Sequence, residues 1–149
     1  MKRFLIVLTF LVMYFQLSFA PVSNFTAQVK EIEKDAKIFG LDVKKVTALF
    51  LSEDMQLRNI TRRVPRLDTW AYGAGEILFE TAWDMGYAGT RTGLKNYKVN
   101  TFYAVKFLSV MLKFYDGDWI KTVQYYKTGK CSGRLYYERF QKIYEKLIL

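Results

Sequence analysis

Apolar side chains recur at steps of three and four along nearly the whole chain, and this spacing commits it to helices. Phe25, Val29, Ile32, Ala36 and Phe39 mark an amphipathic helix from about Asn24 to Phe39, which Gly40 is placed to stop. Asp42 can cap the next helix, where Val43, Val46, Leu49 and Phe50 make an apolar stripe that Glu53 continues. Ile77, Leu78, Thr81, Ala82 and Met85 predict a third helix ended by Gly86. Asn100 is expected to cap a fourth, with Ala104, Val105, Phe107, Leu108, Met111, Leu112 and Tyr115 on its apolar face. After the turn Asp116-Gly117-Asp118 come a short helix from Trp119 to about Lys127 and a last one from about Ser132 to Leu147, carrying Tyr136, Phe140, Ile143 and Tyr144. No stretch alternates convincingly with a period of two between turn signals, so the expected fold class is all-α.

The first residues read differently. Lys2 and Arg3 precede an apolar run from Phe4 to about Phe15, and Ser18-Phe19-Ala20 places small residues where a signal peptidase reads. The expectation is a signal peptide over residues 1–20 and one domain over 21–149, exported to the periplasmic or extracellular wall space. Retained, the same segment would serve as a membrane anchor. Its removal leaves 129 of 149 residues, enough for one core, and lowers the formal charge from +9 to +7. A basic exported domain is drawn to anionic partners such as wall polymers, lipid headgroups or nucleic acid.

The chain has no histidine and one cysteine, Cys131, in the loop Gly129-Lys130-Cys131-Ser132-Gly133. An internal disulfide, a Cys/His nucleophilic pair and the usual zinc sets are thereby excluded, and catalysis must rest on carboxylates, tyrosines or lysines. Glu53 is the candidate, because its helical position turns it toward the core side and a glycine-rich turn, Gly73-Ala74-Gly75, follows twenty residues later. A solvated acid at a helix end is the plainer alternative. Glu76 and Glu80 stand four apart, which admits either a two-carboxylate mechanism or simple complementation of a helix N-terminus. Trp70 and Tyr72 could stack on sugars or only pack. Arg58, Arg62, Arg63 and Arg66 form either a solvated loop or an attractor of carboxylates.

From Thr47 to Lys146 the chain resembles the lytic transglycosylases of the soluble murein type, whose domain is related to goose-type lysozyme. Ala48-Leu49-Phe50-Leu51-Ser52-Glu53 resembles the segment ending in their catalytic glutamate. Gly73 to Ala82 resembles their Gly-Leu-Met-Gln-Ile motif with its following Thr-Ala pair, matched at Gly73, Ile77, Thr81 and Ala82. Asn100, Val105, Phe107 and Leu108 are similar to their Asn-Ile-x-x-Gly-x-x-Tyr-Leu helix. Tyr126 and Gly129 fall in register with their Ala-Ala-Tyr-Asn-Ala-Gly segment, and Tyr137 and Tyr144 resemble the closing tyrosine helix. The chain departs from the pattern at Asp54, where the family has Ser, at Glu76, where it has Gln, and at Lys127, where it has Asn.

The resemblance implies a single lysozyme-like helical domain that cleaves the β-1,4 bond of peptidoglycan glycan strands and leaves a 1,6-anhydromuramyl end. Glu53 would be the general acid and base. Tyr72, Gly73, Glu76, Ile77 and Tyr126 would bind substrate, with no metal or organic cofactor; for Tyr126 a core aromatic role stays open. Nucleic acid is not an expected partner, because the arginines lie on no recognisable groove-reading element. Two other classes remain beside it. One is a wall-binding scaffold that keeps the fold without the chemistry; the other is a basic helical protein acting at membrane surfaces.

Overall fold

Helix α1 (Val22–Ile38) opens the computed structural model, which describes residues 22–148 and side chains from Phe25 onward. The expected signal segment lies outside the described residues. Gly40 ends α1 with φ +65°, and the bonds Leu41 N–H to Ala36 O (2.9 Å) and Gly40 N–H to Lys37 O (3.1 Å) close a Schellman motif. A carboxylate oxygen of Asp42 accepts from Lys45 N–H at 2.9 Å and starts α2 (Val43–Glu53). Every residue of α2 from Val46 to Glu53 is buried. The helix is therefore the centre of the domain, packed between α1 and the last helix, and not an amphipathic surface element.

The segment Arg58 to Leu78 corrects the all-α expectation. It forms a three-stranded antiparallel sheet, β1 (Thr61–Val64), β2 (Thr69–Tyr72) and β3 (Ile77–Leu78), in the order β1-β2-β3. The register pairs Thr61 with Tyr72, Val64 with Thr69, and Ala71 with Leu78. Pro65 begins a single 3-10 turn at the hairpin tip. Asp68 follows it in the left-handed region (φ +47°), and its carboxylate takes Arg63 at 2.8 Å. β1 and the first half of β2 are exposed or half-exposed, so no apolar face marks them in the sequence. Because Ile77 and Leu78 pair with β2, the third helix starts later than expected, as α3 (Phe79–Asp84).

A 3-10 turn (Gly93–Lys95) leads into α4 (Tyr97–Phe114), and here a second expectation is corrected. The N-cap is Asn96, whose side chain accepts from Lys98 N–H (3.1 Å) and Val99 N–H (3.3 Å), while Asn100 lies inside the helix and is fully buried. Asp118 caps α5 (Trp119–Thr128), which ends at left-handed Gly129 (φ +67°), and α6 (Arg134–Lys146) closes the domain against α2. Ile32, Leu49, Phe50, Leu57, Leu94 and Leu108 form the driest part of the core, all less than 2 % exposed. Six helices and one small sheet thus make up the described residues.

Candidate functional site

The two glycines after β2 place the site. Glu76 N–H donates to Gly73 O at 3.0 Å, closing a tight turn that brings β3 back along β2. Gly73 has φ +68°, and a Cβ there would stand 2.3 Å from Asn100 Cγ; at Gly75 it would stand 2.5 Å from Ala104 Cβ. The turn therefore lies directly on α4. Asn100 locks it: its Nδ2 donates to Tyr72 O (2.7 Å) and Leu94 O (3.3 Å), and its Oδ1 accepts from Gly75 N–H (2.9 Å). From the other side Tyr126 Oη donates to Gly75 O at 2.6 Å, while its ring packs 5.6 Å from that of Phe107.

This arrangement projects Glu76 into a groove of about 800 Å³, walled on one side by the hairpin and on the other by the end of α5 and the start of α6. Glu53, the last residue of α2, reaches the same groove from the floor. Lys127, one residue from the C-terminus of α5, joins them. Its ammonium pairs with the Glu53 carboxylate and, at 3.1 Å, with that of Glu76, and Glu76 pairs in turn with Arg62. The result is an alternating chain of charge, Glu53, Lys127, Glu76, Arg62. Glu76 holds a left-handed backbone (φ +47°), which costs about 1 kcal/mol in a non-glycine residue and is sustained here by the turn and the two cations.

The Glu53 side chain is only 2 % exposed. Burial raises its carboxyl to about 7; the Lys127 ammonium works against this rise, and the adjacent Glu76 carboxylate adds to it. The site so contains a carboxyl that exchanges its proton near neutrality, an ability an exposed glutamate lacks. Asp54, the next residue along the chain, turns elsewhere. It accepts from Arg58 Nε (2.9 Å), Arg58 N–H (3.0 Å) and Gln56 N–H (3.0 Å), and although burial opposes them these bonds hold its carboxyl below the usual range.

Of the residues singled out in the sequence, Glu53, Glu76, Ile77 and Tyr126 line this groove together. Tyr72 and Gly73 do not. Along β2 alternate side chains take opposite faces, and with Ala71 on the groove, Trp70 and Tyr72 point away from it; Tyr72 is 6 % exposed and packs in the core. Gly73 shapes the turn from behind. Glu80 also stands apart from Glu76, which precedes the helix instead of sharing a face with it, and Glu80 is exposed and paired with Arg91 at 3.1 Å. The arginine loop proves to be the hairpin: Arg58, Arg62 and Arg63 pair with acids, and Arg66 donates to Thr128 O at the end of α5.

Sequence reasoning misread Asn100 as a helix cap and missed two cations of the groove. Asn100 shares a helix face with the apolar Ala104 and Leu108, and a polar residue at that position is the signal that it serves a buried hydrogen-bond network. Lys130 and Arg139 also line the groove, and nothing in their local sequence distinguishes them from other surface cations. Replacing Tyr126 by Phe leaves the buried Gly75 carbonyl without its donor. We expect a loss of about 1–2 kcal/mol in denaturant unfolding, with a downward shift of the midpoint and an unchanged slope. An unaltered midpoint would show that the bond carries no net stability. No protein-family model, curated protein or solved structure matches this chain.

Proposed function

We propose that the protein is an exported glycan-cleaving enzyme of lysozyme-like fold, a lytic transglycosylase acting on peptidoglycan strands, with Glu53 as its general acid and base. The observation that carries the reading is the buried Glu53 carboxyl, raised to about 7, at the floor of a groove of about 800 Å³. Protonated Glu53 gives its proton to the glycosidic oxygen as the bond to the anomeric carbon breaks and positive charge spreads over the sugar ring. The muramyl 6-hydroxyl then closes on that carbon, and its proton returns to the Glu53 carboxylate. The product is a 1,6-anhydro sugar, and Glu53 ends the cycle protonated again. Through the cycle Lys127 retains Glu76 as a partner, so protonation of Glu53 leaves no ammonium unpaired.

One observation favours a second reading. Lys127 pairs directly with Glu53, and a carboxylate held permanently in that pair is no acid; the groove would then serve a wall-binding scaffold. Digestion of purified peptidoglycan, with released fragments identified by mass spectrometry, separates the readings. Anhydromuramyl ends are the expected product. Reducing ends would replace this mechanism by hydrolysis, with Glu76 as the base that activates water. Binding to sacculi with no fragment released would leave the scaffold.

A further inference from the structure

The groove is lined by six cations, Arg62, Arg63, Arg66, Lys127, Lys130 and Arg139, against two carboxylates, Glu53 and Glu76. Arg62 and Lys127 are spent on those carboxylates, Arg63 on Asp68, and Arg66 on the Thr128 carbonyl. Lys130 and Arg139 are different. Both are exposed, and neither has an acidic partner among the described residues.

Their placement is fixed by the backbone. Thr128 Oγ1 donates to Gln124 O (2.7 Å) and accepts from Lys130 N–H (3.1 Å), which holds the loop after α5 in one shape. Arg139 stands one turn beyond Tyr136 on α6, and both residues face the groove. The first turn of α6 has neither a side-chain cap nor an acidic residue, so its amide dipoles add to the positive potential at this end.

We propose that Lys130 and Arg139 form a carboxylate subsite, which makes the groove prefer a glycan bearing free carboxylates on its side groups over a neutral glycan of the same backbone. This rests on the glycan reading above. A continuous polyanion fits less well, because the cations and carboxylates of the floor already pair with one another and the two cations without an acidic partner stand to one side. A strand with uncharged sugars over the internally paired floor and carboxylates set to the side leaves those ion pairs intact and meets complementary charge at Lys130 and Arg139.

The test uses the protein carrying Glu53→Gln, so that strands are bound and not cut. It is titrated with soluble peptidoglycan strands bearing free stem-peptide carboxylates, with the same strands after amidation, and with inorganic polyphosphate. The carboxylated strand is expected to bind about tenfold more tightly than the amidated one at low salt, the sum of two exposed charge contacts, with the difference collapsing in about 0.5 M salt. Adding Lys130→Ala and Arg139→Ala should remove the preference, whereas Lys98→Ala with Lys113→Ala, the same charge change outside the groove, should preserve it. Equal affinity for both strands, equal loss in both double variants, or polyphosphate binding as tight as the carboxylated strand would each overturn the subsite. Cleavage by the unmodified protein without any such preference removes the subsite alone. Failure to bind any glycan removes the proposed function with it.

Discussion

Replacing Glu53 by Gln is expected to reduce fragment release from peptidoglycan about a thousandfold while making the protein more stable above pH 7. The first effect is the loss of proton delivery to the leaving oxygen, typically worth 10²–10⁴ in rate. The second follows from linkage. The folded carboxyl titrates near 7, above its ordinary value of 4.5, so between those values the native state binds the proton that the unfolded state has released. Stability from this group is thus full below about 4.5 and lost as pH rises through 7, a fall of roughly 3 kcal/mol. Glutamine fills the same space without titrating, so the variant should lack this fall. Thermal melts at pH 5 and pH 8 check it: the two proteins should converge at the lower pH and separate at the higher. Activity of the unmodified protein should decline over the same upper range, as the acid loses its proton. A Gln variant that still releases fragments removes Glu53 from the mechanism. One that melts with the unmodified pH dependence would mean that the raised carboxyl lies elsewhere.

The second large effect concerns Asn100, which is fully buried and does not line the groove. Asn100→Ala removes three bonds at once and leaves the Tyr72 and Leu94 carbonyls and the Gly75 amide without it as a partner in a buried place. The expected cost is about 3–5 kcal/mol, enough to lower the melting temperature by roughly 10–20 °C. Gly73→Ala should be comparably damaging, because its Cβ would collide with Asn100 and its backbone is left-handed. The two changes share one cause. In the double variant the collision is relieved, so the combined loss should fall below the sum of the single losses. Strict additivity would show that the turn is not held by Asn100. Both variants should also lower activity, since Glu76 is presented by this turn.

Much of the helical frame is legible from residue spacing. The starts of α2 and α5 follow from Asp42 and Asp118, and the ends of α1 and α5 from Gly40 and Gly129, because capping is decided within a few residues. The sheet was not legible for the opposite reason. Its strands are short and only partly buried, and their pairing depends on a turn fixed by Asn100 from 25 or more residues away. Glu53 and Glu76 were legible as acids, but their meeting at one ammonium was not. Lys127 lies 74 residues beyond Glu53, and only the tertiary fold brings the two side chains together. The plausible sugar platform at Tyr72 failed on a single question, which face of a strand it occupies, and no helical reading of the segment could pose it.

The hydrogen bond from Arg66 to the Thr128 carbonyl joins the hairpin tip to the opposite wall and so bridges the groove. For a polymer this is a matter of topology. Under a closed bridge a strand enters only by threading a free end; past an open one it can be laid in sideways at any point along its length. A single exposed bond of this kind is worth about 1 kcal/mol, which leaves the bridge open roughly a sixth of the time. On the glycan reading proposed above, the groove would admit strand interiors as well as ends, and a seated strand would be fenced in by a gate weak enough to let products go.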